Sequence, residues 1–290
     1  MTQADVHAHP HDRHQDQNHA ADDQADLLDL DAEVLAEHIA SITAWLPLTT
    51  GPRQIVDLGA GTGTGTFALL DRFPEAHVTA VDASAEHLQR LREKARTRGV
   101  PERVSTVQAD LDAAAWPDLG SPDLIWASAS MHHMAEPDRA LRNVHDLLAP
   151  GGLFALVELA GFPRFLPEDA PEDCPGLEER CHAANDRLHA EHVPHRGADW
   201  GPLLTAAGFT VEAERTVTVR IEATPGDDAI GRYALASLQR MHSSAATDAL
   251  TPEDLAALGR LLDTGSPHSI LRRDDLVVRT ERTVWAARRP

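Results

Sequence analysis

The sequence predicts an α/β fold in which helices cover both faces of a doubly wound, mostly parallel sheet. Between residues 54 and 159, short apolar runs of strand type alternate with amphipathic segments of helical period. The first apolar run ends in a glycine-rich loop, which is typical of ligand-binding folds of this architecture. With 290 residues, 42% of them hydrophobic, the chain has enough apolar material for a large packed core.

The first half of the chain alternates strands with helices. An amphipathic helix from Leu27 to Leu46 comes first and ends before Pro47. We then predict strands at Gln54–Leu58, His77–Asp82, Arg103–Ala109, Asp123–Ser128 and Leu153–Leu159, with helices at Thr64–Phe73, Ser84–Arg98 and Pro137–Leu148. Ser84 is a suitable N-cap, and Gly99 is suited to end the same helix. Strands joined by helical crossovers are expected to be parallel.

The alternation breaks at Gly161. The next segment carries prolines at intervals of four and then a polar helical stretch from Leu177 to His192. Beyond it we predict a helix at Leu203–Ala207, a strand at Phe209–Ile221, helices at Asp227–Met241 and Pro252–Leu262, and a final strand at Leu276–Ala287. An insertion after the carboxyl end of a strand is placed to cover a site there.

Composition limits the partners and the setting. The chain has 26 basic and 46 acidic residues, a net charge of −20, which disfavours nucleic acid and anionic membranes as partners. Cys174 and Cys181 are too few for a disulfide framework, and no apolar run approaches the roughly 20 residues of a membrane span. No secretory signal is visible either. We therefore expect a cytoplasmic protein.

The N-terminal segment 1–26 has few large apolar side chains. It contains six Asp, one Arg and five His, namely His7, His9, His11, His14 and His19. This composition predicts a disordered tail. Its histidines have the chemistry to trap a divalent metal, but scattered histidines in a solvated tail do not make a site, and we predict no bound metal.

The loop after the first strand reads Ile55-Val-Asp-Leu-Gly-Ala-Gly-Thr-Gly63. Glycines at every second position leave backbone N–H groups bare, and the N-terminus of the following helix adds a partial positive charge. A small, partly anionic ligand is expected there. The dinucleotide spacing Gly-x-Gly-x-x-Gly is not met, although Gly63-Thr-Gly65-Thr-Phe-Ala68 matches its alanine-ended variant too far past the strand.

Several ordered motifs then make the chain resemble the class I S-adenosylmethionine-dependent methyltransferases. They are Asp57-Leu-Gly59-Ala-Gly61-Thr-Gly63, Val81-Asp82-Ala83-Ser84, Gln108-Ala-Asp110-Leu111, the fourth strand Asp123–Ser128 and the turn Leu147-Leu-Ala-Pro-Gly-Gly152. The resemblance covers about residues 30–160 and the last two strands. S-adenosylmethionine carries a ribose diol and an adenine amine, which donate hydrogen bonds to carboxylates. It also carries a sulfonium cation, which tolerates acidic surroundings.

The resemblance implies a fold and a set of cofactor contacts. The fold is Rossmann-like, with a seven-stranded sheet whose last strand is antiparallel beside strand six, and with helical cap insertions. The methyltransferase domain would span 27–290, with its core at about 47–160 and 200–290 and its caps at about 161–198 and 227–262. By this resemblance, Asp82 would accept hydrogen bonds from the ribose hydroxyls and Asp110 from the adenine amine. Asp57 would hold the loop or act through water. The expected cofactor-binding residues are Asp57, Gly59, Ala60, Gly61, Gly63, Asp82, Ala83, Asp110, Leu111 and Ala127.

Catalytic candidates follow the fourth and fifth strands. Methyl transfer depends mostly on positioning, with a base added when the acceptor carries a proton. His132, His133 and Glu158 are the candidates, because their expected positions at the strand ends face the methyl donor. The alternative is that the histidines only pack the loop around the cofactor.

A second histidine cluster lies in the insertion, at His189, His192 and His195, with Cys181-His182 upstream. A spacing of three suits metal binding on a helix, but Pro194 interrupts the helix and no carboxylates complete a site. We expect solvated surface or acceptor-pocket lining there.

Taken together, the motifs predict transfer of a methyl group from S-adenosylmethionine to a small-molecule acceptor. Oxygen is preferred as the acceptor atom and specialised metabolism as the setting, on family frequency alone. The alternatives are a protein-modifying methyltransferase, a non-catalytic S-adenosylmethionine-binding protein and, more distantly, a dinucleotide oxidoreductase. The oligomeric state stays open.

Overall fold

The computed structural model describes residues 23–190, 193, 195–224 and 226–290, with the backbone alone at 245 and 246. The strands of this part are β1 Gln54–Leu58, β2 His77–Asp82, β3 Val104–Gln108, β4 Leu124–Ser128, β5 Leu153–Leu159, β6 Thr210–Glu222 and β7 Val277–Arg288. They form one seven-stranded sheet in the order β3-β2-β1-β4-β5-β7-β6. Each lies within about two residues of its predicted position, because the apolar runs were bounded by clear turns.

Strand directions agree with the predicted topology. β1 pairs parallel with β2 and β4, and the same direction continues to β3 and β5. β7 enters between β5 and β6 and is antiparallel to both. The expected antiparallel last strand is therefore confirmed. The register places Arg282 of β7 opposite Leu159, at the carboxyl end of β5.

The helices are α1 at residues 23–34, α2 Ala36–Trp45, α3 Thr64–Arg72, α4 Ala85–Thr97, α5 Pro137–Leu147, α6 Leu177–Ala190, α7 Gly201–Ala206, α8 Ala229–His242 and α9 Pro252–Leu262. They cover both faces of the sheet, as a doubly wound fold requires. One face packs against a cluster that includes Leu69 and Leu91. The other packs against Leu141 and Leu204. No described helix is long and apolar enough to cross a membrane.

The N-terminal prediction needs two corrections. The helix expected at 27–46 is divided by a turn at Leu35 into α1 and α2. Residues 23–26, assigned to the tail from their polarity, are helical, because Ala25 is fully buried and the Asp26 carboxylate lies 2.5 Å from the Arg90 guanidinium. Residues 1–22, with the five tail histidines, lie outside the described residues.

The site is positioned by the point where the strand order reverses. β1 connects through α3 to β2 on one side, whereas β4 lies on the other side of β1. Chain segments leaving the carboxyl ends of β1 and β4 therefore diverge and leave a crevice between them. The glycine loop that follows β1 borders this crevice.

Candidate functional site

A cavity of about 360 Å³ lies at the carboxyl ends of β1, β2 and β4. Its lining comes from the glycine loop, the ends of β2 to β4, helix α1 and strand β7. Among the lining residues are Leu28, Asp31, Asp57, Gly59, Ala60, Gly61, Asp82, Ala83, Asp110, Leu111, Ser130, His133 and Arg282. A wider hollow of about 1010 Å³ lies between α2, α3 and α4, away from the strand-end motifs. We therefore place the functional site in the smaller cavity.

The glycine loop has little room for side chains. Gly59 and Gly61 adopt φ 68° and 54°, and both line the cavity. A Cβ on Gly59 would lie 2.4 Å from the Cβ of Ser130. Glycine at this position satisfies both the left-handed backbone and the close approach of the next loop.

Gly63 was predicted to contact the cofactor, but it does not line the cavity. A Cβ on this residue would lie 2.7 Å from the ring of Phe67 and 2.9 Å from Leu91. Its φ of 100° instead forms the turn that starts α3. The third glycine of the loop is therefore needed for the turn and for helix packing.

Asp57 lies beneath the loop and is only 2% exposed. Its Oδ2 accepts a hydrogen bond of 2.6 Å from the Thr66 hydroxyl in α3. Burial raises the pKa of Asp57 to about 7, and the charge of Asp82 adds to this effect. This geometry agrees with the expectation that Asp57 holds the loop, since it ties the end of β1 to the first turn of α3.

Asp82 is fixed by backbone donors at the end of β2. Its Oδ2 accepts from the Gly61 N–H and its Oδ1 from the Ser84 N–H, both at 2.8 Å. Burial would raise the pKa of Asp82, but hydrogen bonds from His87, Ser84 and Gly61 hold it below its ordinary value. The carboxylate is therefore ionised at neutral pH. His87 Nδ1 also lies 3.3 Å from Oδ1, so Oδ2 keeps a further lone pair with which to accept from a hydroxyl in the cavity.

The adenine side of the expected site follows β3. Asp110 is exposed at the cavity, and its Oδ1 accepts from the Asp112 N–H at 2.9 Å. Leu111 is buried beside it and also lines the cavity. An exposed acceptor next to an apolar side chain fits a flat heterocycle with an exocyclic amine.

Ala127, another predicted contact, does not line the cavity. It is fully buried in the core on the other face of β4, and its neighbours Trp126 and Ser128 line the cavity instead. Side chains alternate along a strand, so a one-residue error moves a contact to the opposite face.

Two of the three catalytic candidates form a buried pair outside the cavity. Glu158 Oε2 lies 2.5 Å from His132 Nδ1, and Glu158 Oε1 accepts from the N–H groups of Met131 and His132. The exposed fractions of His132 and Glu158 are 5% and 2%. Their placement corrects the prediction: this pair anchors the loop after β4, because a carboxylate at the end of β5 is close enough to bind its backbone.

His133 is the candidate that reaches the cavity. Its side chain is exposed there, yet desolvation, followed by the charges of His132, Arg240 and Arg196, lowers the pKa of His133 to about 4. The imidazole is therefore neutral at pH 7. A conjugate acid this strong leaves it a weak base for abstracting a proton from an alcohol.

Sequence reasoning missed a charged group that joins α1 to β7 beside the cavity. Arg282 is 5% exposed, and its Nη2 donates to Asp31 Oδ1 at 2.8 Å and to Asp31 Oδ2 at 2.9 Å. The Tyr233 hydroxyl of α8 donates to Asp31 Oδ1 at 2.7 Å. Asp31 and Arg282 both line the cavity, and no local motif signals either one.

The histidine cluster of the insertion does not assemble a metal site within the described residues. His189 Nδ1 lies 2.8 Å from the Asn185 carbonyl, and its ring contacts Phe162 edge-on. His192 and Pro194 lie outside the described residues. Across the part of the chain that the structure describes, no group of three His, Cys, Asp or Glu side chains is arranged to hold a metal ion.

The strand order, the glycine loop after β1 and the acids after β2 and β3 define a class I methyltransferase fold. In keeping with this, residues 55–152 match the family model described as methyltransferase domain. This segment of the chain is a methyltransferase domain of the S-adenosylmethionine-dependent class.

Curated relatives match over part of the chain. Trans-aconitate 2-methyltransferase of Acidovorax sp. (strain JS42) is 41% identical over 105 residues, which cover 36% of this chain and 38% of the relative. The enzyme of the same name from Mycolicibacterium gilvum is 34% identical over 170 residues, 58% of this chain and 62% of the relative. Malonyl-[acyl-carrier protein] O-methyltransferase of Halorhodospira halophila is 38% identical over 106 residues, 37% of this chain and 35% of the relative. The matched segments thus cover less than two thirds of these relatives.

Solved structures share the fold over most of the chain. A methyltransferase-like protein from Bacillus halodurans superposes with a TM-score of 0.55 at 19% identity, covering 87% of this chain and 98% of its own. The [4+2]-cyclase SpnF superposes with a TM-score of 0.50 at 21% identity, covering 88% of this chain and 82% of the cyclase chain. Since a cyclase has this fold, the fold alone does not set the reaction.

Proposed function

We propose that the protein is an S-adenosylmethionine-dependent methyltransferase acting on a small molecule. The observation that supports this most is the meeting of the glycine loop, Asp82 and Asp110 in one cavity. When bound, S-adenosylmethionine supplies a methyl group on a sulfonium, a good leaving group for in-line displacement. The protein's task is then to hold donor and acceptor in line and to exclude water.

The cavity residues divide this task. Asp82 is ionised and fixed by two backbone donors, so it is preorganised to accept from ribose hydroxyls. Asp110, which also lines the cavity, would accept from the adenine amine, and Gly59 and Gly61 would let the backbone approach the donor closely. His133 borders the side of the cavity where the acceptor would enter. In this assignment no cavity histidine acts as a strong base.

For the acceptor we propose an oxygen nucleophile of a small metabolite in a cytoplasmic, specialised pathway. The cavity is small, and helix α1 and the loop after β4 contribute to its walls. Two of the relatives carry names that specify trans-aconitate and malonyl-acyl carrier protein, and both of these acceptors are carboxylic acids. The net charge of −20 argues against nucleic acid as the acceptor.

The experiment is a transfer assay with S-adenosylmethionine that carries an isotopically labelled methyl group. Purified protein is incubated with a panel of small acids, alcohols and amines, and products are identified by mass spectrometry. We expect one labelled methyl ester or ether. Tight binding of S-adenosylhomocysteine with transfer to proteins alone, or with no transfer at all, would favour the protein-modifying or the non-catalytic alternative. Stabilisation by NAD alone would favour the oxidoreductase.

A further inference from the structure

We propose that Arg282 binds a non-reacting carboxylate of the acceptor and so selects small polycarboxylic acids as substrates. This inference rests on the proposed methyl transfer, and it assigns a specificity role to a residue outside the methyltransferase motifs. Four features of the cavity support it: the position of Arg282, the way Asp31 holds its guanidinium, the lack of another arginine or lysine among the described lining residues, and the weak basicity of His133.

The position of Arg282 separates it from the donor. The order β1-β4-β5-β7 places β7 three strands from β1. At about 4.8 Å per strand, Arg282 is roughly 14 Å across the sheet from the strand that carries the glycine loop. Arg282 lies opposite Leu159, at the carboxyl edge of β5, and it lines the cavity. It therefore borders the part of the cavity beyond the donor.

One donor of Arg282 has no acceptor within the described residues. Nη2 is bound by Asp31, but Nε is buried and finds no hydrogen-bond partner there. A buried donor of a charged group left without a partner costs free energy. Because Nε is closed to solvent, a carboxylate in the cavity would pair with the part of the guanidinium that lines the cavity, and Asp31, itself held by Tyr233, would keep the guanidinium plane in place.

The charges that line the cavity are mostly acidic, since Asp57, Asp82, Asp110 and Asp112 border it together with Asp31 and Arg282. Asp31 offsets the charge of Arg282, while Glu158 is occupied by His132 and two backbone N–H groups. On the His133 side, Arg240 and Arg196 lie close enough to lower the pKa of that histidine. Among the described residues that line the cavity, Arg282 is the one arginine or lysine, so an acceptor that enters as an anion has this cation to pair with.

The chemistry of a carboxylate acceptor matches the weak base in the cavity. A carboxylic acid is ionised at neutral pH, so its oxygen attacks the methyl carbon without losing a proton. The new C–O bond forms as the S–C bond breaks, and the bonding pair stays on sulfur, giving S-adenosylhomocysteine and a neutral methyl ester. Because the acceptor is already deprotonated, the reaction needs no base, and the weak basicity of His133 does not slow it. A second carboxylate on the same molecule would bind Arg282.

The test uses the full chain with Arg282→Met, which keeps most of the side-chain volume and removes the charge. Arg215→Met, at an exposed arginine of β6, is the control. Trans-aconitate is titrated calorimetrically into each protein saturated with S-adenosylhomocysteine, and S-adenosylhomocysteine alone is titrated in parallel. We expect Arg282→Met to weaken trans-aconitate binding at least tenfold and to change S-adenosylhomocysteine affinity less than twofold, while Arg215→Met changes neither.

Other outcomes separate the two proposals. If the wild type binds S-adenosylhomocysteine but not trans-aconitate or the triacid tricarballylate, the inference fails and the proposed methyl transfer stands. If the wild type binds no S-adenosylhomocysteine, the proposed function itself fails. A tenfold loss of S-adenosylhomocysteine affinity in Arg282→Met would assign Arg282 to the donor and overturn the inference. Should Arg282→Met not fold, Arg282→Lys, which keeps the charge but lacks the planar guanidinium, takes its place with the same expected loss.

Discussion

The Nδ1 atom of His132 lies 2.5 Å from Oε2 of Glu158, and both side chains are closed off from the cavity. The other oxygen of the same carboxylate accepts from two backbone N–H groups of the loop after β4. One acid at the end of β5 thus satisfies three donors of the neighbouring loop. The loop in turn places His133 in the cavity.

Glu158→Ala should lower the free energy of unfolding by about 3 kcal/mol, because it leaves a buried histidine and two backbone donors without their partner. His133→Ala should change it by less than about 1 kcal/mol, since that side chain is exposed. Urea denaturation of the two variants measures the difference. Equal losses of stability in both would contradict the anchoring role of Glu158.

Gly59→Ala should destabilise the protein by more than about 2 kcal/mol and impair cofactor binding. An alanine at this position would be strained by the left-handed backbone conformation. Its Cβ would also lie 2.4 Å from the Cβ of Ser130. Gly120→Ala is the matched control, because Gly120 has φ 76° with nothing within 4 Å of its Cβ. The control shares the backbone strain of about 1 kcal/mol and lacks the clash. Thermal unfolding of both variants isolates the clash, and equal shifts of Tm would show that it relaxes at no cost.

Asp82→Asn should weaken binding of S-adenosylhomocysteine at least tenfold. The amide presents an NH₂ group where the carboxylate now accepts from Gly61 and Ser84, so one backbone donor or one ribose hydroxyl loses its acceptor. Asp118→Asn, in which an exposed acid accepts from the Gly120 N–H away from the cavity, serves as the control. Calorimetric titration gives both dissociation constants. Unchanged affinity in Asp82→Asn would remove this acid from the site.

Asp57 should make stability depend on pH between about 4 and 7. Its pKa is about 7 in the folded protein and 3.8 when solvated, so the folded state holds the extra proton across that interval. The free energy of unfolding therefore falls by at most about 4 kcal/mol as pH rises through this window, and it levels off above the window. Asp57→Asn keeps an acceptor for Thr66 and should remove this slope.

The difference in unfolding free energy between wild type and Asp57→Asn, measured from pH 4 to pH 8, isolates this carboxyl from other groups. Glu178 also has its pKa raised to about 7 by burial, and it titrates equally in both proteins. A difference that stays constant across the range would contradict the assignment to Asp57.

Local sequence was enough to locate the glycine loop and the acid at the end of β2. Asp82 is the last residue of its strand, and the positive φ of Gly59 reflects the glycine spacing of the segment Ile55–Gly63. Strand ends and turns are encoded by neighbours in the chain, so their positions emerge from pattern alone. The antiparallel β7 was predicted from the family resemblance and confirmed by its pairing with β5.

The Arg282 side of the cavity was not readable in the same way. Asp31 and Arg282 are 251 positions apart and meet only because the fold brings α1 to β7. That Ala127 and Glu158 lie outside the cavity has a related cause. β4 and most of β5 are buried on both faces, so no polar alternation marks which side chains face the cavity.

The position of the bound methyl donor decides these residue roles, and a crystal structure with S-adenosylhomocysteine measures it directly. The ribose hydroxyls should lie about 3 Å from the Asp82 carboxylate and the adenine amine at a similar distance from Asp110. The sulfur should face His133 and the Arg282 side of the cavity. S-adenosylhomocysteine bound in the hollow between α2 and α4, or with its ribose away from Asp82, would contradict the account.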